Sequence, residues 1–278
     1  MMTIGLTGWS DHDLIQREAS RKLEDYSSHF PVVELDTSFY AIPSVKNIVS
    51  WIEKTPDRFT FLPKVHSMMT LHKPFAPDFE SMADVYAAYL QAFDPMIREQ
   101  KIKAFLFQFP PTFDCIRPNV NYLKYVKKQM NELPVAVEFR NQSWFTDQNA
   151  SKTLALLKQL GFTHVVVDQP QTPTNSIPMV KVSTHPALSI MRLHGQNYEG
   201  WLGENVTDWR AERPLHDYSP TELEAFKETA LQLEQCSREV CIIFNNNSGG
   251  HAAKNAKELQ KLLGLDFDYL GPQQLDLL

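Results

Sequence analysis

A (β/α)8 TIM barrel, folded as one domain over residues 1–278, is the architecture this sequence predicts, and three observations predict it. Eight short runs, β-branched or aromatic and mostly apolar on both faces, recur along the chain. Such runs suit parallel strands buried on both sides. Helical patterns fill most of the intervals between them, which is the alternation a parallel barrel is built from. No GxGxxG or GxxxxGK[ST] loop is present, so an open doubly wound sheet, the runner-up, lacks the phosphate loop that would support it.

The elements follow in order. TIGLTG (3–8) opens the chain, and Leu14, Ile15, Leu23, Tyr26 and Phe30 then recur at near-helical spacing, predicting a helix over 14–29. PVVELD (31–36) is the second run, and Ser44 can cap a helix carrying Val45, Ile48, Val49 and Ile52. RFTFLPK (58–64) precedes a long amphipathic stretch over 79–100, in which Pro95 predicts a kink or an end. KAFLFQF (103–109) leads to a helix over 119–131, and PVAVEF (134–139) to one over 149–160 that stops near Gly161. THVVVD (163–168) is followed by the one interval without a clear helix, 169–188, which holds four prolines and a short extra strand candidate, MVKVST (179–184). SIMRLHG (189–195) runs into a long segment, 196–218, carrying Tyr198, Trp201, Trp209 and Tyr218. Segments of that length are often lids; their aromatics either stack on a sugar ring or base, or pack over the barrel. SPTE (219–222) is the strongest helix start, with a serine cap, proline at the first helical position and glutamate to complete a capping box. EVCIIFN (239–245) is the eighth run, and a last helix over 251–263 stops at Gly264.

Charge and composition exclude several functions. With 27 Lys+Arg against 33 Asp+Glu the formal net charge is −6, which argues against general nucleic-acid binding, since phosphate-tracking surfaces carry a basic excess. The three cysteines, Cys115, Cys236 and Cys241, form no CxxC pair, so neither a disulfide framework nor a zinc site follows. Reduced thiols, no signal-peptide pattern at the N-terminus and no apolar span of bilayer length predict a cytoplasmic protein with no membrane partner.

The functional signal lies at the carboxyl ends of the strands, where barrels carry their chemistry. Glu34 and Asp36 share a face at the end of the second run; Lys64 closes the third, Gln108 the fourth; Glu138 and Arg140 close the fifth, Asp168 the sixth, Arg192 and His194 the seventh, and Asn245 and Asn246 the eighth. Strand ends are often polar, and any one of these residues can be structural. Glu138 with Arg140 reads as an ion-paired rim or as a tuned general acid or base; Lys64 as an anion ligand or a partner of Glu34 or Glu138; Gln108 as a ligand contact or a satisfier of loop backbone. The set as a whole reads as a pocket. Its candidate catalytic residues are Glu138, Asp168 and His194, and its candidate substrate-binding residues are Glu34, Lys64, Gln108, Arg140, Arg192 and Asn246.

The ordered strings GLTGW (5–9), ELDTSFYAIPS (34–44), TPDRFTFLPK (55–64), LFQFPPTF (106–113), EFRNQSW (138–144), RLHG (192–195) and FNNNSGGHAAKNA (244–256), with Asp168 between the fifth and sixth, resemble the YecE-like family over nearly the whole chain, from about residue 4 to about residue 262. The resemblance implies a TIM barrel and carries no activity, substrate or cofactor with it. The stretch after RLHG is longer than in the shortest family pattern and bears tryptophan.

Three functions fit these residues. The leading one is an acid–base enzyme acting on a polar or anionic small molecule, such as a sugar or phosphorylated metabolite, with Glu138 or Asp168 paired to His194 for proton transfer and Arg140, Arg192 and Lys64 holding oxygens. The second is a divalent-metal isomerase or phosphodiesterase using Glu34, Glu138, Asp168 and His194 as ligands, although no HxH or HExxH spacing supports it and the nearby cations oppose it. The third is a barrel that binds a ligand without turning it over.

Overall fold

The computed structural model describes residues 1–74, 76, 78–203 and 208–271. Each of the eight apolar runs forms a strand: β1 Met2–Thr7, β2 Val32–Leu35, β3 Thr60–Pro63, β4 Phe105–Gln108, β5 Val135–Glu138, β6 Phe162–Asp168, β7 Leu188–Leu193 and β8 Glu239–Phe244. They pair in parallel in the order β3-β2-β1-β8-β7-β6-β5-β4. The ring closes between β3 and β4 through two parallel bridges, Phe61 to Ile102 and Lys64 to Leu106. The nearly closed parallel barrel is surrounded by helices, as the alternation predicts. Gly5 permits the close approach of β1 to β2, since a Cβ there would stand 2.1 Å from the Val32 carbonyl oxygen.

The helices are α1 Lys22–Ser27, α2 Thr37–Tyr40, α3 Val45–Glu53, α4 Met82–Arg98, α5 Arg117–Met130, α6 Ala150–Leu160, α7 Tyr198–Leu202, α8 Trp209–Glu212, α9 Pro220–Glu234 and α10 His251–Leu262. The expected caps are made: Ser44 accepts from the Asn47 amide, Ser219 and Glu222 complete the capping box, and Gly161 ends α6 at φ 68°. Pro95 stands in the last turn of α4, which continues to Arg98. So late in the helix, the proline forfeits one backbone bond and leaves few to break.

Two local expectations are corrected. The helix expected over 14–29 is a 3-10 turn at Asp13–Ile15 and the short α1. Between them Asp25 Oδ2 accepts the amides of Arg17 and Glu18 at 2.9 and 3.1 Å, a local alternative to helical bonding. Residues 179–184 form no strand. They are tied to β6 by side chains instead: Thr184 Oγ1 accepts from the His164 amide and donates to the Phe162 carbonyl, both at 2.7 Å. Within 196–218 the described residues hold α7 and α8; residues 204–207 and the side chain of Trp209 lie outside what the structure describes.

Apolar side chains fill the space between barrel and helices. On the β4–β5 side a stack of Phe109, Phe113, Phe139 and Trp144 supports the loop that follows β4. Among the described residues, no helix is long and apolar enough to cross a membrane.

Candidate functional site

Arg192 enters the barrel from β7 and is 1% exposed. Its guanidinium is shared by three other strands. Nε and Nη2 donate to both oxygens of Glu34 at 2.8 and 2.7 Å, and Nη1 donates to Glu138 Oε2 and to Gln108 Oε1, the latter at 3.2 Å. Glu34 and Glu138 are fully buried. Burial alone would raise the Glu138 carboxyl, but the guanidiniums of Arg140 and Arg192 outweigh it and hold it well below the usual carboxylate range.

Arg140, just past β5, sits one layer higher. Its Nη2 lies 2.5 Å from Glu138 Oε1, 3.3 Å from Gln108 Oε1 and 3.2 Å from His194 Nε2, and its Nη1 donates to Gln169 at 3.1 Å. Gln108 thus accepts from two guanidiniums and holds them together; among the described residues its side chain makes no bond to loop backbone. His194 is 2% exposed, with Nε2 3.3 Å from Glu138 Oε1 and Nδ1 2.8 Å from the Asn245 amide nitrogen. Burial, reinforced by Arg140, holds the imidazole well below its ordinary value, so it is neutral at pH 7. Nε2 thus meets both a donor, Arg140 Nη2, and an acceptor, Glu138 Oε1, while Nδ1 faces the Asn245 side-chain amide.

Above this layer opens a cavity of about 710 Å³ at the carboxyl ends of the strands, lined by Asp36, Lys64, Gln108, Arg140, His194 and Asn245 from the barrel and by Trp201 and Arg213 from the 196–218 segment. Lys64 Nζ pairs with Asp36 Oδ1 at 2.9 Å and lies 4.4 Å from the centre of the Phe39 ring. The Trp201 ring has cationic neighbours: the Arg140 guanidinium at 4.8 Å and the Arg213 guanidinium at 3.8 Å.

Of the predicted residues, Glu34, Glu138, Gln108, Arg140, Arg192 and His194 form one connected cluster, and Lys64 joins them on the crater wall. Two others stand apart. Asn246 is fully buried and donates to the His216 carbonyl and to Asn255, at 2.8 and 2.9 Å; its neighbours Asn245 and Asn247 are the members of that asparagine run that reach the crater. Asp168 is outside the crater lining too. Its Oδ2 accepts the Tyr218 hydroxyl at 2.7 Å and its Oδ1 accepts Gln196 at 2.6 Å, while the Tyr218 oxygen accepts from the Gly195 amide at 2.7 Å. Both ends of the 196–218 segment are therefore fastened to one carboxylate. Replacing Asp168 with alanine should cost about 1–3 kcal/mol, the usual penalty for orphaning such partners, and hydrogen exchange should accelerate across 196–218. Unchanged exchange there would dismiss the clamp.

Sequence reasoning singled out Trp201 only as a lid aromatic and missed Arg213. Arg213 sits on no strand end and at no periodic position, so nothing local marked it. Asp36 and Asn245 were visible at strand ends but not distinguished from their neighbours. For a divalent metal, Glu34 and Glu138 are already committed to Arg192, and among the described residues no group of three His, Cys, Asp or Glu gathers to hold an ion.

Comparison with known proteins adds family context. The family model described as "Protein of unknown function DUF72" matches residues 3–275. The chain is 42% identical to UPF0759 protein YunF of Bacillus subtilis (strain 168) over 281 residues, covering 100% of both. It is 28% identical to UPF0759 protein YecE of Escherichia coli (strain K12) over 169 residues, 60% of this chain and 59% of that protein. Among solved structures, a DUF72 family protein from Enterococcus faecalis V583 superposes with a TM-score of 0.94 at 39% identity, covering 99% of this chain and 100% of that one. Another from Thermotoga maritima MSB8 superposes at 0.81 with 29% identity, covering 95% and 100%.

Proposed function

Because this chain belongs to the DUF72 family, whose description names no activity, we propose its function from the crater itself: an acid–base enzyme acting on an anionic small molecule at the carboxyl-terminal mouth of the barrel. The observation that carries this reading is Arg213. Its guanidinium lies against Trp201, and among the described residues no carboxylate pairs with it. Burial and then the charge of Arg140 lower it to about 9. In the crater and the layer beneath it Lys64, Arg140, Arg192 and Arg213 stand against Glu34, Asp36 and Glu138, with a fourth carboxylate, Asp11, exposed on the rim. Arg213 is the cation with no carboxylate partner among the described residues, half-buried on the crater wall, where an unpaired charge is costlier than in open water. An incoming carboxylate or phosphate supplies the missing counter-ion, and the guanidinium fork suits either.

His194 is the proton-transfer group in this reading. Its Nδ1 lone pair, held by the Asn245 amide, is the acceptor once a substrate hydroxyl displaces that amide, and Glu138 stands behind Nε2 to stabilise the imidazolium that forms. Arg140 and Arg213 then stabilise negative charge developing on the substrate.

Titration calorimetry with inorganic phosphate and small carboxylates tests the anion site. Arg213→Ala should weaken binding at least about tenfold, since a lost charge-assisted bond is worth roughly that factor or more. Equal affinity in the variant would remove Arg213 from the site. In a substrate screen, His194→Gln should lower turnover by about 100-fold or more while leaving anion affinity in place. Tight binding with no turnover of any compound would favour the non-catalytic barrel.

A further inference from the structure

The two sides of the crater offer different chemistry, and their difference specifies a ligand. The ring order places β2 and β3 across the barrel from β6 and β7. Arg213 and Trp201 belong to the segment that follows β7; Asp36 and Lys64 stand at the ends of β2 and β3. The first side carries Arg213, a cation that no carboxylate among the described residues pairs. The second carries a neutralised pair, Lys64 Nζ on Asp36 Oδ1 at 2.9 Å. Among the described residues the other oxygen, Asp36 Oδ2, has no hydrogen-bond partner, and the Asp36 side chain is 34% exposed. The pair therefore presents an acceptor and an ammonium donor side by side. That is the complement of a hydroxyl group, which donates one hydrogen and accepts another. A second anion would meet Asp36, and a ligand ammonium would meet Lys64 already seated on that carboxylate.

Resting on the anion reading above, we infer that the crater takes a polyhydroxylated acid of the sugar-phosphate class, its anionic group on Arg213 beside Arg140 and its hydroxyl groups across the mouth on the Asp36–Lys64 pair. The cavity of about 710 Å³ lies within the range of roughly 300–1,000 Å³ usual for small-molecule sites. Asp36 is the specificity-determining residue for the hydroxyl end; it takes no part in holding the anion.

The test compares inorganic phosphate, a panel of pentose and hexose phosphates, and the corresponding free sugars, on the unaltered chain, on Arg213→Ala and on Asp36→Asn. At least one sugar phosphate should bind about tenfold or more tighter than inorganic phosphate, the increment expected from hydrogen bonds to a charged pair. Asp36→Asn should erase that increment without weakening inorganic phosphate, and Arg213→Ala should weaken both. Inorganic phosphate binding as tightly as every sugar phosphate, or an increment that survives Asp36→Asn, overturns this inference and leaves the anion site standing. A free sugar that binds as tightly as its phosphate also overturns it. Absence of binding by every anion, or indifference to Arg213→Ala, removes the proposed function and this inference together. Asp36 is exposed enough that its variant should fold; equal thermal midpoints before ligand is added check this.

Discussion

Replacing Arg192 with leucine should lower the folding free energy by about 3–5 kcal/mol, the range measured when one partner of a buried ion pair is removed. The change strips Glu34 of both its guanidinium bonds and Glu138 of one of its two guanidiniums, with both carboxyls fully buried. Adding Glu34→Gln to that variant should recover part of the loss, because it removes the orphaned charge. The effect has a pH signature. In the unaltered protein Glu138 titrates well below its ordinary 4.5. Its ionisation therefore contributes stability that is complete above about pH 4.5 and is lost as pH falls towards the depressed folded value. Removing Arg192 raises that folded value, so in the variant this contribution is smaller and its loss, which starts near pH 4.5 in both proteins, is complete at a higher pH. Urea denaturation at several pH values between 3 and 7 reads both effects, and a loss well under 1 kcal/mol throughout would contradict the arrangement described.

Replacing Trp144 with alanine should cost a similar amount, about 3–5 kcal/mol for a fully buried aromatic. The indole is fully buried, stacks on Phe139 with centroids 4.3 Å apart and on Phe113 at 5.6 Å, and donates from Nε1 to the Phe113 carbonyl at 2.7 Å. Trp144→Phe should keep the stack, lose only the N–H bond and cost about 1–3 kcal/mol. Urea denaturation of the two variants separates these contributions. Because Phe113 closes the loop that begins with the crater residues Gln108 and Pro111, the alanine variant should also weaken ligand binding although Trp144 lies outside the cavity lining. Equal stability of the alanine and phenylalanine variants would show that stacking is not what holds this wall.

The barrel was legible because its signal is repetitive. Eight runs apolar on both faces cannot be read as the half-exposed strands of a sandwich, and Ser44, Gly161 and the SPTE box announce their helix ends by short-range chemistry. The helix over 14–29 failed because apolar spacing says nothing of Asp25 capturing the amides of Arg17 and Glu18. The cluster on Arg192 was legible in membership, since all its parts stand at strand ends, but not in pairing. Alternation along a strand gives the face, whereas the partner lies up to 158 residues away, as Glu34 does from Arg192. The partners of Asp168 were hidden for a related reason: a carboxylate closing an apolar strand can turn towards the lumen or towards the following segment, and here Gln196 and Tyr218, the latter fifty positions on, hold it. Arg213 left no periodic trace, because its setting is made by tertiary stacking on Trp201.

The guanidinium of Arg192, gripping acceptors on three other strands, makes the lumen's upper floor a single heritable unit. A substitution at Glu34, Gln108, Glu138 or Arg192 alone strands its partners, so divergence at this level has to be concerted. The segment that brings Arg213 and Trp201 to the mouth is fastened at its two ends to Asp168 and meets the cluster below through Trp201, which lies against Arg140 and His194. Descendants of one ancestral barrel can thus vary the surface excursion over the mouth while the charged cluster below is inherited intact.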